Sequence, residues 1–312
     1  MAKTMRPLPA GDSGPSGSDR LKAWYQASRP PFYIATLVPI VLGLVLAARD
    51  TGQWRIGRFL LVNLGAFLVH LSTNLANDLF DHILGADAGE SIGGSRVIQE
   101  GLISPSTLVG VLIFLDLAAL AIAWGVIRHI GQPGLWILVA VAGFSALFYV
   151  APPIRYGYHG LGELSVFVNM GLIITGGTYW VQAGKWQWSV CWYALPVGLM
   201  VAGILYFQSL PDMNTDRQAG KKTLAVRLGR RRALTVFRLG WILTYISLIG
   251  LWAAGMTAWL VGACLLTLPV FLKADRLIRT TEDWLELDRH GHLVRKLYLA
   301  NGVLLILSVA LL

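Results

Sequence analysis

Five acids, Asp78, Asp81, Asp87, Glu90 and Glu100, stand close together in a chain that holds only 17 acidic residues among 312. Three of them belong to NLANDLFDHILGAD, residues 74–87. Asn74, Asp78 and Asp81 are spaced i, i+4, i+7, which puts them on one face of a helix. Asn77 and Asp81, again four apart, widen that face into a polar stripe. Gly85 lets the chain turn and bring Asp87 back toward it. A second group lies in YFQSLPDMNTDRQAGKKTLAVRLG, residues 206–229. Here Asp212 and Asp216 are one helical turn apart, Pro211 opens the turn, and Arg217, Lys221 and Lys222 follow. Carboxylates beside basic side chains suit a divalent cation plus a polyanion. Mg²⁺ takes hard oxygen ligands and is commonly held by one or two carboxylates together with substrate phosphates. Arginine and lysine can hold the remaining phosphate oxygens. A solvated surface is the plainer explanation of any single DxxxD. Two such groups outweigh it only if the chain carries both to one place.

The elements that must do so are membrane helices. Hydrophobic residues make up 55% of the chain, charged residues 14%, and the mean hydropathy is +0.59, whereas a soluble domain carries about 25% charged residues. Long apolar segments recur throughout, so the expected fold class is all-α, a polytopic bundle of about nine transmembrane helices. Their expected positions are 32–48, 57–77, 105–127, 133–150, 160–182, 188–209, 233–254, 256–272 and 297–312. Both acidic groups follow even-numbered spans, the second and the sixth, and therefore emerge on the same side. With the N-terminus cytoplasmic, 20 of the 26 basic residues fall on the cytoplasmic side, five on the other, and Arg238 within a span, as the positive-inside rule requires. That asymmetry accounts for the net charge of +9 without nucleic acid as a partner. Residues 1–22 are polar, with no apolar core of a signal peptide. They are expected to be a disordered cytoplasmic tail, and residues 23–312 the transmembrane domain. No GxxxxGK[ST] or GxGxxG indicates a nucleotide loop, and no HExxH indicates zinc. Cys191 and Cys264 lie in apolar runs with no redox or metal spacing.

The two acidic stretches resemble the paired aspartate-rich motifs of the UbiA-type intramembrane prenyltransferases. The likeness continues through SRPPFYIATLVPIVLG, GGSRVIQEGLIS and FYVAPPIRYGYHGLGELSVF, so that it covers residues 24–312. Within that superfamily, NDxxDxxxGxD and AGKKTLAVRLG are most similar to the 1,4-dihydroxy-2-naphthoate polyprenyltransferase branch. Two departures stand out. Gly85 occupies the place of the last aspartate of the broad NDxxDxxxD pattern, with Asp87 two residues on. Gln208 and Ser209 stand where naphthoate enzymes often have asparagines.

The resemblance implies a helix bundle around a cavity open to the bilayer, and transfer of a polyprenyl chain from its diphosphate to an aromatic acceptor. It implies Mg²⁺ held by Asp78, Asp81, Asp212 and Asp216, with Asn77 and Asp87 completing or orienting the shell. Arg96, Lys221, Lys222 and Arg155 are the expected diphosphate contacts, with Asn74 lining the same face. Tyr149 is the expected aromatic wall for an allyl cation, ahead of Phe148 and Tyr206. The expected partners are a polyprenyl diphosphate, an aromatic acceptor such as 1,4-dihydroxy-2-naphthoate, and membrane lipid. Rival readings share the ionisation step but use 4-hydroxybenzoate, homogentisate, chlorophyllide or a glycerol lipid as acceptor, or cyclise a terpene. A cation-coupled transporter would place its acids nearer the membrane midplane. His70, inside the second span, is expected to make an inter-helix hydrogen bond, and Glu163 to sit at a helix start favoured by the dipole. Residues 273–292 read as an amphipathic interfacial helix.

Overall fold

The computed structural model describes residues 17–85 and 94–312. Helices α1 (Gly17–Ser28), α2 (Ile34–Thr51), α3 (Ile56–Ile83), α4 (Pro105–Ile130) and α5 (Leu135–Phe148) come first. Then α6 (Gly162–Val166) and α7 (Ile174–Ala183) form one rod, joined by the π-helical stretch Phe167–Ile173. The remainder is α8 (Val190–Ser209), α9 (Met213–Gln218), α10 (Leu224–Ala253), α11 (Leu268–Thr280), α12 (Trp284–Arg289) and α13 (Gly291–Ala310). Among the described residues there is no strand.

Local chemistry sets the boundaries. Helix α4 starts where Ser104 accepts a hydrogen bond from the Thr107 N–H at 3.2 Å, with Pro105 in the first turn; both are favoured at a helix N-terminus. Gly52 stops α2 in the left-handed region, its N–H reaching the Ala48 carbonyl at 2.7 Å, the usual glycine stop. Helix α10 contains a break at Gly229, whose φ of 68° and ψ of 162° are not helical.

Seven helices among the described residues are long and apolar enough to cross a membrane. The all-α membrane bundle is as expected, and seven of the nine expected spans are single helices of full length. Helix α5 is only 14 residues long, about 21 Å at 1.5 Å per residue, against a hydrocarbon core of about 30 Å. The segment expected at 256–272 is split between a 3₁₀ stretch, Trp259–Thr267, and α11. Two further expectations are corrected. Residues 17–22, assigned to a disordered tail, form the start of α1, whose Ala23 and Ala27 pack in a buried cluster with Leu75 and Leu79 of α3. Residues 1–16 lie outside the described residues. The amphipathic stretch 273–292 is not one helix but parts of α11, α12 and α13.

The main core joins α2, α8, α10 and α13, with Leu42, Met200, Trp241 and Tyr298 among its fully buried members. Outward faces keep large apolar side chains exposed, including Phe114, Leu117, Ile137 and Ile246. Water would penalise such a surface and hydrocarbon would not, so the chain is an integral membrane protein. Helix α3 is the one that serves the site. Its 28 residues extend about 42 Å, longer than an apolar layer of about 30 Å, and its last turns carry the polar stripe. His70 lies deeper on α3 and hydrogen-bonds Thr36 of α2, with the Tyr33 ring edge-on at 5.8 Å, the inter-helix bond expected for it.

Candidate active site

Each of the two aspartates in the α3 stripe has its own clamp. Asp78 is 3% exposed. It accepts from the Arg29 guanidinium and the Ser95 hydroxyl, and from the Ser95 N–H at 3.2 Å. Asp81, 5% exposed, accepts from the Tyr158 hydroxyl and from Lys221 Nζ at 3.2 Å. Lys221 also reaches Asp216 at 3.9 Å. A single ammonium thus joins the first acidic motif to the second, although the residues are 140 positions apart in the case of Asp81.

The second motif is held by its own turn. Asp212 precedes α9, and its carbonyl accepts the Asp216 N–H at 2.8 Å. Thr223, which caps the start of α10, donates its hydroxyl to Asp216 Oδ2 at 3.4 Å. Burial pushes the Asp216 carboxyl up to about 7, with Lys221 opposing the shift and the charges of Asp212 and Asp81 adding to it. Burial alone would lower the Lys221 ammonium, but Asp81 and Asp216 outweigh it and raise the group. Lys221 is therefore a permanent cation between two acids. Its Nζ lies 5.0 Å from the centre of the Tyr158 ring, and the Lys222 N–H donates to the Tyr158 carbonyl at 2.9 Å. The connection before α6 is in this way tied to the connection before α10.

The remaining expected residues divide clearly. Tyr149 packs on Val150 and Tyr158 and stands edge-on to Tyr156 at 5.6 Å; Lys221 and Asp81 both act on it electrostatically. The Arg155 guanidinium lies over the Tyr158 ring, and its buried Nε has no hydrogen-bond partner among the described residues. Arg29, Arg96 and Arg155 all have positive φ, 51°, 59° and 43°, a left-handed backbone uncommon outside glycine and often found at functional sites. Lys222 is exposed, so its side chain is not drawn into the cluster. Tyr206 spends its hydroxyl on the Ala233 carbonyl at 3.0 Å in the core, and Phe148 packs on Phe144. Glu163 sits in the first turn of α6, as expected. Gly85 adopts a φ of 74°, the turn expected there, whereas Asp87 and Glu90 lie outside the described residues. Among the described residues no three acids, histidines or cysteines stand close enough to share one ion. Lys221 lies between Asp81 and Asp216, and Arg29 pairs with Asp78.

The donor set nonetheless fits Mg²⁺. The acids are hard oxygen ligands, and among the described residues the buried Asn77 Oδ1 lacks a partner, as does the buried Asn74 Nδ2, a donor suited to a phosphate oxygen rather than to the ion. Buried polar groups are seldom left so. Arg29, Ser95 and Tyr158 were not singled out as site residues by spacing, since each comes from a different connection. They do lie inside SRPPF, GGSR and RYGYHG, stretches in which the resemblance was already visible. Replacing Tyr158 with phenylalanine removes one donor to Asp81 without emptying its space. Groups that orient metal ligands are worth about 10- to 100-fold in affinity or activity. Tyr158→Phe is expected to raise the Mg²⁺ concentration for half-maximal activity by about tenfold; an unchanged Mg²⁺ titration would remove Tyr158 from this role.

The model of the UbiA prenyltransferase family matches residues 36–283. The chain belongs to this family. Among its UbiA relatives is a 1,4-dihydroxy-2-naphthoate octaprenyltransferase of Escherichia coli, 30% identical over 92% of this chain and 96% of that protein. Another of the same name, from Haemophilus influenzae, is 34% identical over 68% of this chain and 71% of that protein. A UbiA homologue from Aeropyrum pernix aligns with a TM-score of 0.66 at 16% identity, over 89% of this chain and 97% of that one. A UbiA homologue from Archaeoglobus fulgidus bound to DMAPP and Mg²⁺ gives a TM-score of 0.63 at 15% identity, over 91% and 98%. The all-α membrane bundle is thus the UbiA fold.

Proposed function

We propose that this protein transfers a polyprenyl group from its diphosphate to 1,4-dihydroxy-2-naphthoate, the prenylation step of menaquinone biosynthesis, in a Mg²⁺-dependent reaction. The observation that carries the reading is Lys221, which joins Asp81 to Asp216 and so draws both acidic motifs to one point. The octaprenyltransferase relatives support the choice of acceptor. Asp78, Asp81, Asp212 and Asp216 would hold Mg²⁺, with Asn77 and Asp87 as further oxygen donors. Bound there, Mg²⁺ would neutralise charge developing on the departing diphosphate.

The protein's own groups do the rest. Lys221, Arg155 and Arg29 bind diphosphate oxygens, with Arg96 and Lys222 on the entry side and Asn74 on the α3 face. The bond between the allylic carbon and the diphosphate oxygen breaks, and the electron pair leaves with the diphosphate. Tyr149 presents an aromatic face to the cation left behind, and the apolar helices keep water from it. The naphthoate ring attacks, a carbon–carbon bond forms, and the ring carboxylate departs as CO₂. The site belongs at the cytoplasmic face of the cell membrane, where the polar leaving group and the apolar chain each meet their own solvent.

Purified protein incubated with 1,4-dihydroxy-2-naphthoate and farnesyl or longer diphosphates is expected to yield a prenylated naphthoquinol only with Mg²⁺, read by mass spectrometry. Product from 4-hydroxybenzoate or homogentisate in its place would keep the chemistry and change the acceptor. No prenylated product under any condition would reject the reading.

A further inference from the structure

One side of helix α11 forms a shallow, open groove along Pro269, Leu272, Lys273, Arg276 and Leu277. The spacing of these residues places them along one side of the helix. The floor is apolar and open, Leu272 being 60% exposed. The two cations at its edge are spare. Asp275, buried on the same helix, is taken up by Arg238 and by Arg279 at 3.2 Å. Lys273 and Arg276 make no ion pair among the described residues.

The groove lies on the same side as the acidic motifs. Helix α10 leaves the site at Thr223, and the chain returns through Trp259–Thr267 and α11. The end of α11 is tied back to the start of α10 by Arg230, which donates to the Thr281 carbonyl at 2.9 Å. Apolar contact below and two unpaired cations above match a phosphate head on acyl chains. A neutral zwitterionic lipid would bring its own cation to the two already there. We infer that this groove is a binding site for an anionic phospholipid of the leaflet that carries the active site, its phosphate on Lys273 and Arg276 and an acyl chain along Pro269 and Leu272. The inference is independent of the acceptor proposed above.

The full chain reconstituted in phosphatidylcholine nanodiscs with phosphatidylglycerol titrated in, and read by native mass spectrometry, tests it. Wild-type protein should retain phosphatidylglycerol in preference to phosphatidylcholine. Lys273→Gln with Arg276→Gln should weaken retention by about fivefold per charge, since a basic side chain at an anionic surface contributes on the order of 1 kcal/mol. Leu272→Asn should weaken it with no change in net charge. Arg231→Gln with Arg232→Gln removes the same charge from exposed positions elsewhere on that side and should leave retention intact. The thermal transition of each variant shows that lipid was not lost through unfolding, and Leu272→Asn decides the matter if the double variant is unstable. Equal loss in the Arg231 and Arg232 control, or no lipid preference in wild type, overturns the site. Displacement by geranylgeranyl diphosphate at concentrations below those of phosphatidylglycerol would make the groove a substrate entrance, and overturns it as well.

Discussion

Asp81→Asn is expected to lower prenyl transfer by about a thousandfold or more, the scale on which fixed charge at a developing anion contributes to catalysis. Asp81 is the point at which α3 meets two connections, through Tyr158 from the segment before α6 and Lys221 from the segment before α10. The amide keeps the size and still accepts the Tyr158 hydroxyl, but it cannot share a divalent cation with Asp216 or balance Lys221. The fold should survive. One negative charge fewer relieves Asp216, whose carboxyl burial and its acidic neighbours push up to about 7. The measurement is product formation across a Mg²⁺ titration, with the thermal transition alongside. Activity within tenfold of wild type would remove Asp81 from the reaction.

The second large effect concerns stability. Gly171, in the π-helical stretch between α6 and α7, faces Gly198 of α8. A Cβ on Gly171 would stand 2.6 Å from the Gly198 Cα, 2.9 Å from its nitrogen and 3.2 Å from the Ala194 carbonyl. All three are backbone atoms, so no rotamer change relieves the contact. Small residues at helix crossings let membrane helices approach closely, and dispersion at that distance is what holds them together in lipid. Gly171→Leu would force the two rods apart at a cost of about 3 kcal/mol or more. The variant should lose its cooperative thermal transition in detergent or show a much lower one. Gly262→Leu, at a position where an added Cβ would meet nothing within 4 Å, should change little. Equal transitions in the two variants would show that the crossing tolerates separation.

Much of the candidate active site was legible because helical spacing is local. Asn74, Asp78 and Asp81 share a face of α3 for the reason that three and four residues make a turn, and α3 does run through them to Ile83. Asp212 and Asp216 follow the same rule across the first turn of α9. What spacing could not supply is visible at Asp78. Its partner Arg29 lies 49 positions away, next to two prolines at the end of α1, and was countable only as one more basic residue before the first apolar span. Element lengths were less legible than element positions. Apolar composition continues through α5 and through the Trp259–Thr267 segment, yet hydropathy does not record where backbone geometry departs from a full-length α-helix.

The sequence by itself determined that the chain dissolves in lipid, that most of its basic residues lie in the same connections as the acids, and that two acidic turns follow apolar spans. These follow from composition and from periods of three and four residues. Only the tertiary structure decided that Lys221 lies between Asp81 and Asp216, that Arg29 and Ser95 close over Asp78, and that Tyr158 joins the two connections. Ion pairs between distant segments depend on how seven or more helices pack against one another, and no local pattern encodes that packing.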